Sequence, residues 1–176
     1  MSLSMTSIAS IPRTASPAPQ RAFSLFVLVL SLAVIGGALV FQYGVGLVPC
    51  ELCLAERYAW YAAIPLAGLF LIASASLGRF SAPLFLLLFL ASAGLAFYHV
   101  GVEQHVFAGP TACTAGKLQG GSIEDMTKAL LATPEVQCDE VQWSLLGISL
   151  SGFNLILSLS VVVVAARIWL TRKEHA

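Results

Sequence analysis

Two thiols stand two residues apart in Pro49-Cys50-Glu51-Leu52-Cys53, and Ala55-Glu56-Arg57-Tyr58 follows almost at once. In a pair so spaced, one thiol attacks while the other resolves, so thiol–disulfide exchange is the first chemistry to consider. Arg57 comes four residues after Cys53, one helical turn on and on the same face. A cation there stabilises a thiolate at Cys53, and the same cation could hold the carbonyl oxygen of an electron acceptor. The N-terminal end of a helix starting here adds a favourable partial charge. Two more cysteines, Cys113 and Cys138, lie far downstream, and an even count of four allows three pairings among which sequence does not choose.

Rival readings of the thiols are weaker. Cys50 and Cys53 suit half of a zinc knuckle, but Cys113 and Cys138 are too far apart to form the other half, so no metal is expected. A permanent bridge inside Cys50–Cys53 would close a small ring and constrain the unfolded chain little. A reversible relay is favoured. Among the other polar residues, His99 could donate to an acceptor bound between helices or be a packed, hydrogen-bonded histidine. His105 reads as a wetted loop residue, and Glu56 as an outward-facing interfacial carboxylate without chemistry. Trp60, Trp143 and Trp169 are interfacial anchors first.

The elements that must position these groups are apolar. Of 176 residues, 58% are hydrophobic and 10% charged, whereas soluble domains carry about 25% charged residues. Formal net charge is zero and no basic block suits nucleic acid. The composition implies an integral membrane protein in the lipid bilayer, all-α, with four spans at about 23–43, 55–75, 83–102 and 144–168. At 1.5 Å per residue, each such stretch crosses a hydrocarbon core of roughly 30 Å. Residues 1–20, rich in Ser, Ala and Pro, read as a loose tail in which Pro12, Pro17 and Pro19 oppose a helix, and residues 171–176 as a second tail. The bundle is then residues 21–170. Pro65 is a candidate kink, Ser76–Ala82 reads as a tight turn, and Pro83 as the first turn of the third span.

The first outer loop, 44–54, is short and the second, 103–143, is long. Gly120-Gly121-Ser122-Ile123-Glu124-Asp125 predicts an N-cap and acidic first turn, and Ile123, Met126, Leu130 and Leu131 recur at roughly helical spacing, so the long loop should carry a short amphipathic helix. With four spans, Arg13, Arg21, Arg79, Arg167, Arg172 and Lys173 share one side, and Arg57, Lys117 and Lys128 fall on or near the other. The excess of positive charge places both termini and Arg79 in the cytoplasm. All four cysteines are then exported or at the outer membrane edge, a compartment that in a bacterium is oxidising.

Taken together, the pattern resembles the bacterial disulfide bond formation protein B (DsbB) family over roughly residues 22–170. The resemblance is carried by Pro49-Cys50-Glu51-Leu52-Cys53 with Glu56-Arg57, by Cys113 and Cys138, and by Gln142-Trp143-Ser144-Leu145-Leu146-Gly147 at the entry to the fourth span. It implies a quinone-dependent oxidase of the bacterial inner membrane, with ubiquinone or menaquinone as cofactor and a periplasmic DsbA-like, thioredoxin-fold oxidase as partner. It further implies that Cys113 forms the mixed disulfide with that partner, that Cys138 pairs with Cys113, and that a Cys50–Cys138 disulfide forms during turnover. Cys53 would face the quinone in a charge-transfer complex stabilised by Arg57, with His99 a further candidate quinone contact. Tyr98–His105 departs from the enterobacterial pattern, in which an acidic residue directly precedes a histidine; His99, Glu103 and His105 are the candidates it offers instead. A relative serving a dedicated partner, a quinone-epoxide reductase of the vitamin K type, and a disulfide-stapled scaffold without enzymatic activity are the alternatives.

Overall fold

A computed structural model describes residues 18–110 and 137–174. Cys113 and the expected amphipathic helix lie outside the described residues. Four helices carry the fold: α1 (Ala18–Leu39), extended by a π-helical turn at Val40–Gly44, α2 (Glu51–Ile72), α3 (Ser74–Glu103) and α4 (Leu150–Glu174). Among the described residues, three segments, Ala18–Gly44, Ser74–Glu103 and Leu150–Arg172, are long and apolar enough to cross a membrane. α2 is 22 residues long, but Glu56 and Arg57 interrupt its apolar run, and the fold places Glu56 inside the bundle.

Small and aromatic side chains set the packing. The buried positions of α2 are Leu52, Glu56, Trp60, Ala63, Ala67 and Phe70, a single stripe at three- and four-residue spacing. α3 buries Ala82, Phe85, Phe89, Ser92, Ala93, Ala96 and His99 along a matching stripe. α1 packs mainly on α2, and α3 mainly on α4. Alanines and serines on these stripes let the backbones approach closely. Phe85 anchors an aromatic cluster, edge-on to Phe23 at 5.8 Å and to Phe70 at 5.7 Å, while Trp60 meets Phe89 edge-on at 4.7 Å. The opposite faces are also apolar, with Phe26, Val29, Leu32, Leu87, Leu90 and Val163 exposed, as helices surrounded by lipid require.

Element boundaries differ from the sequence expectation at three places. Pro19 does not exclude a helix, because it falls in the first turn of α1, where a backbone N–H has no helical partner. Ser76–Ala82 is not a turn: α2 and α3 are joined by Ala73 alone, and Pro83 lies inside α3. A proline there withholds the N–H that would bond the Arg79 carbonyl, and Arg172 Nη1 donates to that carbonyl instead, at 3.1 Å. The fourth helix starts at Leu150 rather than at Ser144. Residues 144–149 form a small antiparallel hairpin, Ser144–Leu145 (β1) against Ile148–Ser149 (β2), with Leu146 and Gly147 at φ 54° and 80° as its turn. Ser149 Oγ then accepts the Gly152 N–H at 3.1 Å and caps α4.

The bundle has two chemically distinct ends. At one, Arg21 Nε donates to Ser74 Oγ at 2.6 Å and Arg172 reaches Arg79, which brings together the start of α1, the α2–α3 junction and the end of α4. At the other stand Cys50, His99 and Glu103. There the chain leaving α3 folds back on itself. Val106 and Phe107 N–H both bond the Gly101 carbonyl, Tyr98 stacks on Phe107 at 5.9 Å, and the Tyr98 hydroxyl donates to the Ala108 carbonyl at 2.7 Å. A Cβ on Gly101 would overlap Phe107 Cδ2. Gly101→Ala is therefore expected to expel Phe107 and cost about 1–3 kcal/mol, read as a lower thermal unfolding midpoint in detergent, whereas Gly94→Ala, which meets nothing within 4 Å, should leave that midpoint in place.

Candidate active site

Cys50 is both nucleophile candidate and helix cap. Its extended backbone (φ −70°, ψ 170°) precedes α2, and its Sγ accepts the Cys53 backbone N–H at 3.2 Å. The Cys50 and Cys53 sulfurs are both free and 2.9 Å apart, within hydrogen-bonding reach of each other. Cys50 is almost fully buried, while Cys53 is half-buried. Cys50, Leu52, Val102 and Cys138 form one packed cluster, with Cys53, Leu95 and Tyr98 against it. Cys138 is disulfide-bonded. The fold thus brings three of the four expected redox cysteines to one end of the bundle.

Behind Cys50 runs a chain of buried polar groups. His99 Nε2 lies 3.6 Å from Cys50 Sγ, and His99 Nδ1–H donates to Glu56 Oε1 at 2.7 Å. Asn154 Nδ2 donates to Glu56 Oε2 at 2.7 Å, and Trp60 Nε1 donates to Asn154 Oδ1 at 2.6 Å. Glu103 Oε1 is 4.0 Å from His99 Nε2, and its other oxygen accepts from the Ser149 and Ser151 hydroxyls. Three helices contribute to this chain, so it exists only in the folded bundle. The expectation that Glu56 faces outward without chemistry is overturned: it is 6% exposed and holds both His99 and Asn154. A charged carboxylate in an apolar bundle must be bonded on every side, and Glu56 falls on the buried stripe of α2.

These neighbours act on the thiol. The Cys53 S–H bond, the His99 ring and the Cys53 backbone N–H hold Cys50 far below the ordinary thiol range, to about 4, against the opposing effect of burial. Donor atoms of Cys50, Cys53 and His99 lie within 4.8 Å of one another. The two sulfurs are nonetheless closer than the roughly 3.8 Å that two thiolates of one tetrahedral zinc require from a 2.3 Å bond. The spacing suits sulfur–sulfur exchange better.

Cys53 opens onto a cavity of about 440 Å³ between α1, α2 and α4, of the size that holds small ligands. Leu30, Val34, Phe41, Trp143, Phe153 and Leu157 form much of its apolar wall, and Cys53, Glu56, Arg57 and Gln42 supply polar groups. Arg57 stands on this wall, where its Nη1 donates to Gln42 Oε1 at 2.6 Å. Phe41 packs on Trp143 at 4.8 Å, so Trp143 belongs to the wall as well as to the interface. Neither Cys50 nor His99 lines the cavity.

The family model described as disulfide bond formation protein DsbB matches residues 20–168. The chain belongs to the DsbB family. It is 32% identical over 161 residues to disulfide bond formation protein B 1 of Pseudomonas entomophila, covering 88% of this chain and 94% of that protein. It is 30% identical over 179 residues to disulfide bond formation protein B of Haemophilus influenzae, covering 89% and 93%. A Rickettsia prowazekii protein named uncharacterized protein RP370 is 26% identical over 146 residues, covering 81% and 84%. Membership makes the chain a redox-active enzyme, and its apolar helices make it a multi-pass membrane protein.

Sequence reasoning missed Glu56, Gln42 and Asn154. The stripe Leu52–Glu56–Trp60–Ala63–Ala67–Phe70 was the available signal for Glu56; nothing local marks Gln42 or Asn154. The thiolate assignment has a direct check. In the reduced protein, one thiolate should persist in ultraviolet absorbance as pH falls and disappear only near pH 4, and His99→Gln should raise that midpoint by about one unit or more. A midpoint near the ordinary thiol value of about 8.5 would contradict the geometry.

Proposed function

We propose that this protein is a membrane thiol:quinone oxidoreductase that reoxidises a periplasmic DsbA-like dithiol oxidase and passes the electrons through two cysteine pairs to ubiquinone or menaquinone. The observation that carries the reading is the unequal placement of two thiols 2.9 Å apart. Cys53 faces an apolar cavity with a cationic group on its wall, whereas Cys50 is closed off and packs with Cys138. One sulfur of the pair meets a lipid-soluble acceptor and the other meets the second loop.

The residues present fit a quinone. The cavity wall is overwhelmingly apolar, and Arg57 offers donors at the same end as Cys53. When bound, a quinone supplies a sink for two electrons and two protons. A periplasmic oxidant of the DsbA type sits near about −120 mV, so its reoxidation needs an acceptor of higher potential. Cys113 is assigned the mixed disulfide with the partner. Cys138 is assigned the exchange with Cys50, which their shared cluster supports. Cys53 is the sulfur that hands electrons to the cavity, and Arg57 orients the acceptor oxygen. His99 is assigned to Cys50 rather than to the cavity, because its Nε2 points at that sulfur.

The orientation follows from the two ends of the bundle. Arg21, Arg79 and Arg172 cluster opposite the cysteines, and clustered arginines mark the cytoplasmic face. We therefore place both termini in the cytoplasm and the thiols in the periplasm of a bacterial inner membrane.

The test is purified protein mixed with reduced DsbA-type oxidase and ubiquinone. Quinone reduction should occur and should vanish in Cys53→Ser; turnover independent of Cys53 would remove the reading. Arg57→Ala should lower quinone turnover about 10- to 100-fold, the range for losing one charged hydrogen bond, with the thermal unfolding midpoint nearly unchanged. Parallel loss of folded protein and activity would make Arg57 a structural residue.

A further inference from the structure

Oxidising Cys50 and Cys53 releases two protons as well as two electrons, and the two sulfurs are not equivalent in where a proton can go. Cys53 is on the cavity wall; Cys50 is not, and is 4% exposed. The proton that Cys50 gives up on becoming a thiolate has no direct way to the cavity. It does have an unbroken bonded path: Cys50 Sγ to His99 Nε2 at 3.6 Å, then His99 Nδ1 to Glu56 Oε1 at 2.7 Å, and Glu56 itself lines the cavity. An imidazole can accept at one nitrogen while releasing from the other.

We propose that His99 and Glu56 are catalytic residues that carry the Cys50 proton into the cavity, separately from the electrons, which leave through Cys53. The inference rests on the quinone-reductase reading. In the net step the Cys53 S–H bond breaks, the proton that Cys50 has already ceded to His99 leaves that ring, and one Cys50–Cys53 S–S bond forms. Two electrons and two protons pass to the quinone, one proton from Cys53 at the wall and one by way of His99 and Glu56. No other reactant is needed.

The surrounding groups hold the path in register. Trp60 Nε1 can only donate, so its bond to Asn154 Oδ1 fixes the Asn154 amide with Nδ2 toward Glu56 Oε2. This leaves Glu56 Oε1 for His99, and makes Asn154 and Trp60 positioning residues. The other titratable groups around the ring are Cys53 from α2 and Glu103 from α3, whose Oε1 is 4.0 Å from Nε2 while its other oxygen is held by Ser149 and Ser151. Cys138 packs on the Cys50 side. Asp139 and His105 line a separate hollow past Val102. α4 contributes Asn154 and Ser151, and Ser149 caps its start; none of the three titrates. Arg57 is turned to Gln42.

The experiment compares the unmodified protein with Glu56→Gln and with Glu56→Gln/Asn154→Asp. In the double variant an amide and a carboxylate exchange places, so the bond between the two positions survives while the ionisable group leaves His99. Both variants should lower kcat for quinone reduction about a hundredfold, within the range for lost general acid–base catalysis, with KM little changed and a larger solvent deuterium isotope effect. Restoration of kcat by the double variant would show that Glu56 only holds packing, and would overturn the proposal. An infrared readout needs no quinone. Oxidising the quinone-free protein from dithiol to disulfide should produce a protonated-carboxyl band that shifts in heavy water and is absent in Glu56→Gln; no such band would also overturn the relay. If the unmodified protein reduced no quinone, the reading of the function would fall, while the infrared band would still decide whether Glu56 takes the proton.

Discussion

The structure depends on a carboxylate buried where a membrane bundle offers almost nothing to hold it. Glu56 is bonded to His99 from α3 and to Asn154 from α4. Stranding an ionisable group in apolar surroundings costs several kcal/mol, so these two partners constrain how α2, α3 and α4 can rotate and slide against one another. Trp60, one turn after Glu56 on the same stripe, locks Asn154 and packs on Phe89, which ties the polar chain to the aromatic core. The same constraint sets the chemistry, because the His99 nitrogen not used by Glu56 is the one that reaches Cys50.

Around that chain the bundle is apolar inside and out. Helices of this kind gain little from a hydrophobic difference between core and lipid, and rely on close packing and a few interhelical hydrogen bonds. Ser92 and Ser158 meet at 3.1 Å between α3 and α4, and alanines fill much of the remaining contact. Polar groups are thereby concentrated at the ends. Arginines gather at the end where α2 turns into α3, and thiols, carboxylates and imidazole at the other. The proposed electron transfer to a lipid-soluble carrier would need this segregation, since the reacting sulfur must stand where water-exposed loops meet an apolar cavity.

How much was legible in the sequence varies with the range of the interaction. The Cys50–Cys53 pair, the four helices and the end at which the thiols stand follow from local spacing, hydropathy and arginine placement. By its place beside Arg57 at the end of a span Glu56 reads as interfacial; its register with Leu52, Trp60 and Ala63 outweighs that position. The turn expected at Ser76–Ala82 holds Gly78 and runs up to Pro83, but the Arg79 carbonyl finds its donor in Arg172, from a helix far along the chain. The hairpin before α4 depends on positive φ at Leu146 as well as Gly147, and leucine is not a residue that announces such a turn. Asn154 shows the general limit. An asparagine in an apolar run is polar at every reading, yet only the fold says that Trp60 and Glu56 sit on either side of it.

The asymmetry of the two thiols follows from one geometric choice, the use of Cys50 as the cap of α2. Capping sets the Cys50 sulfur against the Cys53 N–H, removes it from solvent and aims it at His99; Cys53, one turn later, is carried round to the cavity. In the proposed relay, the same N–H and imidazole that favour charge on Cys50 also make it a better leaving group in exchange with the second loop. A pair with both sulfurs on the cavity wall could reduce an acceptor but would have no protected partner for Cys138. A pair with both buried would have the reverse fault. Two-residue spacing across a helix start places one sulfur on each side of this boundary while keeping them within bonding reach, and the rest of the bundle holds the boundary in place.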